Sequence, residues 1–246
     1  MTNTSYLTHR TMLVTSLVFN FILVGIILYL VVKTDYFNNK EQSKPVDISS
    51  INGWNNTLIK LGYDVDVCFF GNSITYHSDF RQFFPQISIC NLGCPGDDLQ
   101  GMLLRIPAIQ GVHPKKLFVM GGINDLMGET GDELRINYSS FLSALCDSLP
   151  DTQIYLQSVL PINNDDFGHF MCDNNKIVEA NEIIKEIAAS YGVGYVDLYS
   201  VFEKEGKMPK ELTFDGIHLN DAAYHLWSSK IHSLIYQSNN VNYYNE

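Results

Sequence analysis

The sequence predicts a three-layer α/β/α sandwich built on a central, mostly parallel sheet of five strands. Three observations favour it: five short apolar runs, amphipathic stretches with helical spacing between them, and polar, glycine-containing segments after the runs. Near-continuous apolar runs are typical of parallel strands buried on both faces, and their alternation with helices indicates βαβ units. The pattern shows no internal repeat and no second-domain boundary.

The elements follow in order from this pattern. The predicted strands are Val65–Phe70, Gln86–Asn91, Leu117–Met120, Gln153–Val159 and Gly194–Leu198. The predicted helices span about 76–84, 98–109, 131–148, 173–191 and 220–237. In the fourth helix, apolar residues recur at i, i+3, i+4 and i+7, and Gly192 is the expected C-cap. Asn220 or Asp221 is the expected N-cap of the fifth.

The segment before this domain predicts a membrane anchor. Met12 to Val32 contains no charged side chain, and its 21 residues, at about 1.5 Å each, span a hydrocarbon layer of roughly 30 Å. A cleaved signal peptide is the competing interpretation, but the run does not end in a small-x-small site. The predicted divisions are a tail (1–11), a transmembrane signal anchor (12–32), a polar tether (33–50) and a globular domain (51–246).

Charge predicts the orientation of the anchor and excludes one class of partner. Arg10 precedes the apolar run, whereas Lys33 is closely followed by Asp35. The positive-inside rule therefore favours a single-pass protein whose globular domain lies outside the cytoplasm. The chain has 16 Lys and Arg against 27 Asp and Glu, a net charge of −11. Because such a surface repels phosphate backbones, we expect no nucleic-acid partner.

The cysteines argue against a disulfide scaffold or a zinc ribbon. Their number is five and no C-x-x-C pair occurs. Cys68 and Cys90 lie in apolar runs and are expected to be buried. A bridge between Cys90 and Cys94 would require the intervening turn to bring them together, which spacing alone does not decide.

A polar loop after Pro161 has two interpretations. Asp165, Asp166, His169 and Cys172 could be metal ligands, but their spacing matches no defined metal pattern. We therefore expect a loop that borders a site, and neither a metal nor another cofactor.

Four polar clusters follow predicted strands or precede the last helix. They contain a hydroxyl, flexible backbone donors, a carboxamide, a carboxylate and an imidazole, in the segments 69–75, 91–96, 121–125 and 213–218. Because sites form at the carboxyl ends of parallel strands, these groups are expected to meet. That set of groups suits acyl transfer. A Gly-x-Ser-x-Gly elbow is absent because Thr75 occupies the second glycine position, which argues against a standard α/β-hydrolase.

The four clusters resemble the sequence blocks of the SGNH, or GDSL-type, hydrolases. The first block, normally Gly-Asp-Ser, is Gly71-Asn72-Ser73 here, and the second is represented by Gly93. The third and fourth are Gly122-Ile123-Asn124-Asp125 and Asp215 to His218. Their order and spacing match the family from about residue 65 to 235. The resemblance implies a flavodoxin-like sheet and a serine esterase that needs no cofactor.

The resemblance also implies a role for each site residue. Ser73 would be the nucleophile, His218 the general base, and Asp215 the group that orients the imidazole. The Ser73 and Gly93 N–H groups and the Asn124 carboxamide would form the oxyanion hole. Helix capping is the other interpretation of Ser73, His218 and Asp215, and a turn that of Gly93 and Asn124.

The expected function is a membrane-tethered serine esterase acting on an acylated glycan or lipid. A carbohydrate O-acetylesterase, or another small-acyl esterase, is the first interpretation. A lysophospholipase or thioesterase of the same family is the alternative. A catalytically silent binding domain displayed on the membrane is the interpretation from a different class.

Overall fold

The computed structural model describes residues 53–168 and 172–237, together with Ile26. Apart from Ile26, the predicted tail, anchor and tether lie outside these residues and remain expectations. In the part of the chain that is described, no helix is long and apolar enough to cross a membrane.

Five parallel strands form one sheet, which confirms the predicted class of fold. The strand order is β2-β1-β3-β4-β5. The strands are β1 (Val67–Gly71), β2 (Ile89–Gly93), β3 (Lys116–Met120), β4 (Gln153–Gln157) and β5 (Gly194–Val196). β1 and β2 end later than predicted because Gly71 and Gly93 pair with each other at the end of the ladder.

Helices connect the strands and cover the sheet. They are α1 (Gly53–Leu61), α2 (Ser73–Tyr76), α3 (Leu99–Leu104), α4 (Ile106–Gln110), α5 (Ile123–Leu126), α6 (Gly131–Ser148), α7 (Asn164–Phe167), α8 (Asn174–Tyr191), α9 (Tyr199–Phe202) and α10 (Asp221–Tyr236). The long helices α6, α8 and α10 agree with prediction to within one residue at each end. Gly192 caps α8 with φ +68°, and Asn220 is the N-cap of α10.

Two predicted helices were wrong. Helix α2 ends at Tyr76, and a separate 3-10 turn at Phe80–Gln82 follows, so the stretch 76–84 is not one helix. The Asp79 side chain accepts the Arg81 N–H and starts that second turn. The stretch 98–109 divides at Arg105 into α3 and α4, because Pro107 in the first turn of α4 has no N–H to continue the helix.

Alternate residues of β1 point into the two layers that sandwich the sheet. Phe70 stacks on Phe141 of α6, with ring centroids 6.3 Å apart. Phe69 points to the opposite face, where it stacks on Phe80 and on Phe118 of β3. All five rings are buried. This alternation is what a strand buried on both faces requires.

The strand order reverses direction between β1 and β3. In parallel sheets of this kind, a crevice opens at that point beyond the carboxyl ends of the strands. Three of the four polar clusters follow β1, β2 and β3, so the order brings them to the same edge of the sheet.

Candidate active site

Ser73 lies at the start of α2, directly after β1. Asn72, not Ser73, is the helix cap: its Oδ1 accepts the Ile74 N–H at 3.0 Å. As the first helical residue, Ser73 has an N–H without an intrahelical acceptor, and none of the described residues accepts it. The hydroxyl and this N–H are therefore both presented at the crevice.

His218 and Asp215 complete a chain of hydrogen bonds with Ser73. The Ser73 Oγ lies 2.8 Å from His218 Nε2, and His218 Nδ1 lies 2.6 Å from Asp215 Oδ2. Because a carboxylate only accepts, the Nδ1 atom carries the imidazole proton and Nε2 is left to accept the serine proton.

The Asp215 carboxylate is held by backbone as well as by the imidazole. Its Oδ1 accepts the N–H groups of Ile217 at 3.0 Å and His218 at 2.8 Å. Burial raises the pKa of Asp215, but the hydrogen bonds from the His218 ring and these two N–H groups outweigh it, so the pKa lies below its ordinary value. Asp215 is therefore ionised at neutral pH.

Helix α10 holds α2, the helix that carries Ser73, in place. The Tyr224 hydroxyl donates to the Ile74 carbonyl of α2 at 2.7 Å, and Trp227 Nε1 donates to Gln157 Oε1 of β4 at 2.8 Å. Both aromatic side chains are buried and belong to the core.

Two rings that sequence reasoning assigned no role border the catalytic imidazole. Phe214 stacks on His218 with ring centroids 5.8 Å apart and is 59% exposed. His77 meets the same ring edge-on at 5.5 Å. The only sequence signal for these two rings is their position beside predicted site residues. His77 directly follows α2, and Phe214 directly precedes Asp215. Both rings are exposed and contact the imidazole.

The predicted oxyanion-hole role of Gly93 is corrected by its contacts. The Gly93 N–H donates to Asn91 Oδ1 at 2.9 Å and is therefore occupied. The same Asn91 side chain donates to the carbonyls of Thr75 and Ser78, which ties β2 to α2. A Cβ at Gly93 would overlap the backbone of Tyr76. Glycine is needed here for the close approach of α2, not for a catalytic N–H.

The turn after β2 contains a second glycine, Gly96, to which no role was assigned from the sequence. Its φ is +80°, and nothing lies within 4 Å of the position a Cβ would take. Within the described residues its N–H has no acceptor. The Asn124 carboxamide lies against the next peptide, because its Nδ2 donates to the Asp97 carbonyl at 2.7 Å. One Asn124 proton remains for another acceptor.

Arg105 fixes the turn that carries Gly96, and no sequence motif indicated it. Arg105 and Asp97 are almost fully buried, and their side chains form an ion pair in which Nε donates to Asp97 Oδ2 at 2.7 Å. The guanidinium also donates to the carbonyls of Leu92 at 2.8 Å and Gly71 at 3.2 Å. A single buried cation thus joins the ends of β1 and β2 to the following turn.

Asp125 organises the turn that leads into α3. Its Oδ1 accepts the Leu99 N–H at 3.0 Å, at the first residue of α3. Burial, followed by the charges of Glu129 and Asp98, raises the pKa of Asp125 to about 7 against the hydrogen bond from Leu99. This carboxyl is thus neutral over much of the range in which Asp215 is charged.

A pocket of about 280 Å³ adjoins the helix that carries Ser73. It is lined mainly by polar and aromatic side chains: Asn55, Tyr76, His77, Ser78, Asp79, Phe80, Arg81, Ile89 and Asn91. Tyr76 is one helical turn from Ser73, and His77 contacts the catalytic imidazole, so the pocket lies beside the nucleophile.

The loop after Pro161 is partly described. Asp165 and Asp166 face Lys207, with Nζ–Oδ2 distances of 2.6 and 3.9 Å. His169 lies outside the described residues.

All five cysteines are free thiols, with Cys68 and Cys90 fully buried as predicted.

A serine, a histidine and an aspartate in this hydrogen-bonded order, at the carboxyl edge of a parallel sheet, define a serine hydrolase. The chain belongs to the GDSL-like lipase/acylhydrolase family, whose pattern it matches over residues 69–226. It is an ester hydrolase of that family. Residues 69–226 contain Ser73, Asn124, Asp215 and His218.

Solved structures share this fold. A Streptococcus pneumonia protein, described provisionally as a platelet activating factor, has 24% identity and a TM-score of 0.68, covering 85% of this chain and 99% of its own. A GDSL-like lipase from Bacteroides thetaiotaomicron has 22% identity and a TM-score of 0.63, covering 74% and 93%. The acetyl xylan esterase AlAXEase has 21% identity and a TM-score of 0.56, covering 68% and 98%. No curated protein matches the chain.

Proposed function

We propose that the chain hydrolyses carboxylic esters through an acyl-enzyme formed on Ser73. The observation that carries this proposal is the 2.8 Å contact between Ser73 Oγ and His218 Nε2. His218 takes the serine proton as Oγ attacks the ester carbonyl, then passes it to the leaving alcohol; water reverses these steps to release the acid. Asp215 stabilises the imidazolium that forms in between.

The oxyanion would be bound by three neutral donors. We assign these to the Ser73 N–H, the Gly96 N–H and the free proton of the Asn124 carboxamide. Gly96 replaces Gly93 in this assignment because the Gly93 N–H is bound to Asn91. Glycine suits the position, since its φ of +80° disfavours other residues and the absent side chain leaves room for a substrate.

The substrate class that these features favour is a small-acyl ester of a polyhydroxylated alcohol, as in an O-acetylated glycan. The pocket beside Ser73 offers carboxamide, hydroxyl, carboxylate and guanidinium groups, which suit a sugar better than a long acyl chain. One structure of the same fold is an acetyl xylan esterase. The lysophospholipase or thioesterase alternative would require an apolar channel, and the intact hydrogen-bonded triad disfavours a silent binding domain.

Hydrolysis of p-nitrophenyl esters of increasing acyl length tests this proposal. We expect kcat/KM to be highest for acetate and to fall steadily toward palmitate. Acetylated xylo-oligosaccharides and a lysophospholipid, assayed by acid release, then separate the two alcohol classes. A maximum at long acyl chains, or preferential cleavage of the lysophospholipid, would replace the acetylesterase proposal with the alternative. Ser73→Ala is the control for each substrate.

We further propose that residues 12–32 anchor the enzyme in a membrane, with its site on the external side. Support comes from the uncharged apolar run and from Arg10 before it. The tether of residues 33–50 reaches at most about 60 Å, so substrates would be glycans or lipids near the membrane surface. Protease added to spheroplasts should digest the domain. Protection until lysis would reverse the orientation, and a mature form starting near residue 33 would indicate a signal peptide.

A further inference from the structure

The side chains of Asn124 and Asp125 hold the same turn at two points. Asn124 donates to the Asp97 carbonyl at 2.7 Å, and Asp125 accepts the Leu99 N–H at 3.0 Å. The turn from Gly96 to Leu99 is therefore attached to α5 on both sides of Asp98. Because Asn124 and Gly96 are the proposed oxyanion donors, the Asp125 hydrogen bond helps to hold together the two segments that supply them.

Asp125 occupies a place that does not suit a charge. The residue is 3% exposed, and its Oδ2 atom is buried with no hydrogen-bond partner among the described residues. Glu129, also buried, lies one turn further along, its N–H bound to the Asp125 carbonyl at 2.9 Å. An ionised Asp125 would place an unpaired buried carboxylate beside a second carboxyl group.

Among the described residues, no cation is bonded to the Asp125 carboxyl. Asp98, in the turn before α3, is acidic and adds to the repulsion. Tyr138 of α6 is fully buried, and its hydroxyl has no partner within the described part of the chain. Lys176 of α8 donates its Nζ proton to the Leu126 carbonyl. Arg105, on the other side of the turn, is paired with Asp97.

We infer that Asp125 is a positioning residue of the oxyanion hole that supports full turnover only while its buried carboxyl is uncharged. This inference rests on the proposed function. Both the neutral acid and the carboxylate can accept the Leu99 N–H, but only the neutral acid adds no negative charge beside the oxyanion hole. The carboxylate would lie one residue from Asn124 and would oppose the negative charge that develops on the substrate oxygen. It would therefore act on the transition state more than on substrate binding.

The consequence is a falling limb in the pH dependence of kcat. Activity first rises as His218 loses its proton, because only neutral imidazole accepts the serine proton. It then falls as Asp125 ionises, near the pH of about 7 to which burial raises its pKa. We expect kcat to decrease about tenfold across this limb with KM nearly unchanged. Since catalysis by a serine triad alone predicts only the rise, the fall is the signature of Asp125.

The test is the pH profile of phenyl acetate hydrolysis by the full chain, read by acid release between about pH 5 and 9. Asp125→Asn is nearly isosteric and stays neutral, so the falling limb should disappear. Glu129→Gln removes a like charge, which lowers the pKa of Asp125 and should move the limb to lower pH. Asp132→Asn, an exposed aspartate at the start of α6, is the matched control and should leave the profile as it is.

A falling limb that persists unchanged in Asp125→Asn would overturn the inference. If that variant does not fold, as judged by its thermal transition, the Glu129→Gln profile decides: a limb that stays in place or moves to higher pH is the contrary result. The proposed function fails separately, through wild-type protein that does not hydrolyse esters or a Ser73→Ala variant that still does, and its failure removes the inference as well. A wild-type profile that only rises overturns the inference and leaves the proposed function standing.

Discussion

Replacing Asp215 with asparagine should harm catalysis more than replacing it with alanine. Oδ1 of Asp215 accepts two backbone N–H groups, from Ile217 and His218. In Asp215→Asn the amide oxygen must take this position, which places the amide NH₂ against His218 Nδ1. Two donors cannot share a hydrogen bond, so the imidazole adopts the tautomer with its proton on Nε2. That tautomer cannot accept the proton of Ser73.

The loss of the correct tautomer should lower kcat by about 10³–10⁴, or roughly 4–5.5 kcal/mol of transition-state stabilisation. Asp215→Ala leaves the imidazole free to choose its tautomer, so we expect a decrease of only about 10²–10³. Steady-state hydrolysis of p-nitrophenyl acetate measures both, with Asp221→Asn on the exposed start of α10 as the matched control. Equal activities for the two Asp215 variants, or an asparagine variant within tenfold of wild type, would refute the tautomer argument.

Three further predictions concern stability and are measured by urea unfolding. Arg105→Met should destabilise the domain by about 3–5 kcal/mol, since it leaves the buried Asp97 carboxylate without its cation; a loss below 1 kcal/mol would contradict this. Gly93→Ala should cost about 1–3 kcal/mol, because its Cβ would overlap the backbone of Tyr76, and a neutral effect would show that α2 can move. The folded pKa of Asp125, about 7, lies above its ordinary value of 3.8, so its contribution to stability is present below about pH 4 and is lost as pH rises through 7. Asp125→Asn should remove this dependence, worth on the order of 4 kcal/mol at most, and an unchanged slope of stability against pH would contradict it.

The best-predicted elements are the strands and helices in which buried apolar residues recur at regular spacing. Each of the five apolar runs is a strand, and α6 and α8 follow the 3.6-residue spacing of their apolar faces. The sequence failed where a single side chain ends an element. Asp79 starts a new turn within the predicted helix 76–84, and Pro107 divides the stretch 98–109. Periodicity averages over a window and does not register such local hydrogen bonds.

Some residues of the candidate site could likewise be predicted from the sequence, whereas others could not. Ser73, Asp215 and His218 lie in ordered motifs after a strand or before a helix, and the structure brings their side chains into contact. Gly93 could not be separated from Gly96 by sequence, because the difference is a hydrogen bond from the Gly93 N–H to the Asn91 side chain. The role of Arg105 could not be predicted from the sequence either, since its hydrogen-bond partners come from three separate segments of the chain. Such side chain-to-backbone bonds depend on tertiary packing, not on local spacing.

Covalent labelling with a fluorophosphonate probe tests the central claim most directly. The claim is that Ser73 is a nucleophile activated by His218 across their 2.8 Å contact. The probe should add one label per molecule, peptide mapping should locate it on Ser73, and the rate of labelling should rise with pH as the imidazole loses its proton. Ser73→Ala should take no label, and His218→Ala should react orders of magnitude more slowly. Labelling of a different serine, or an unchanged rate in His218→Ala, would contradict this account of the site.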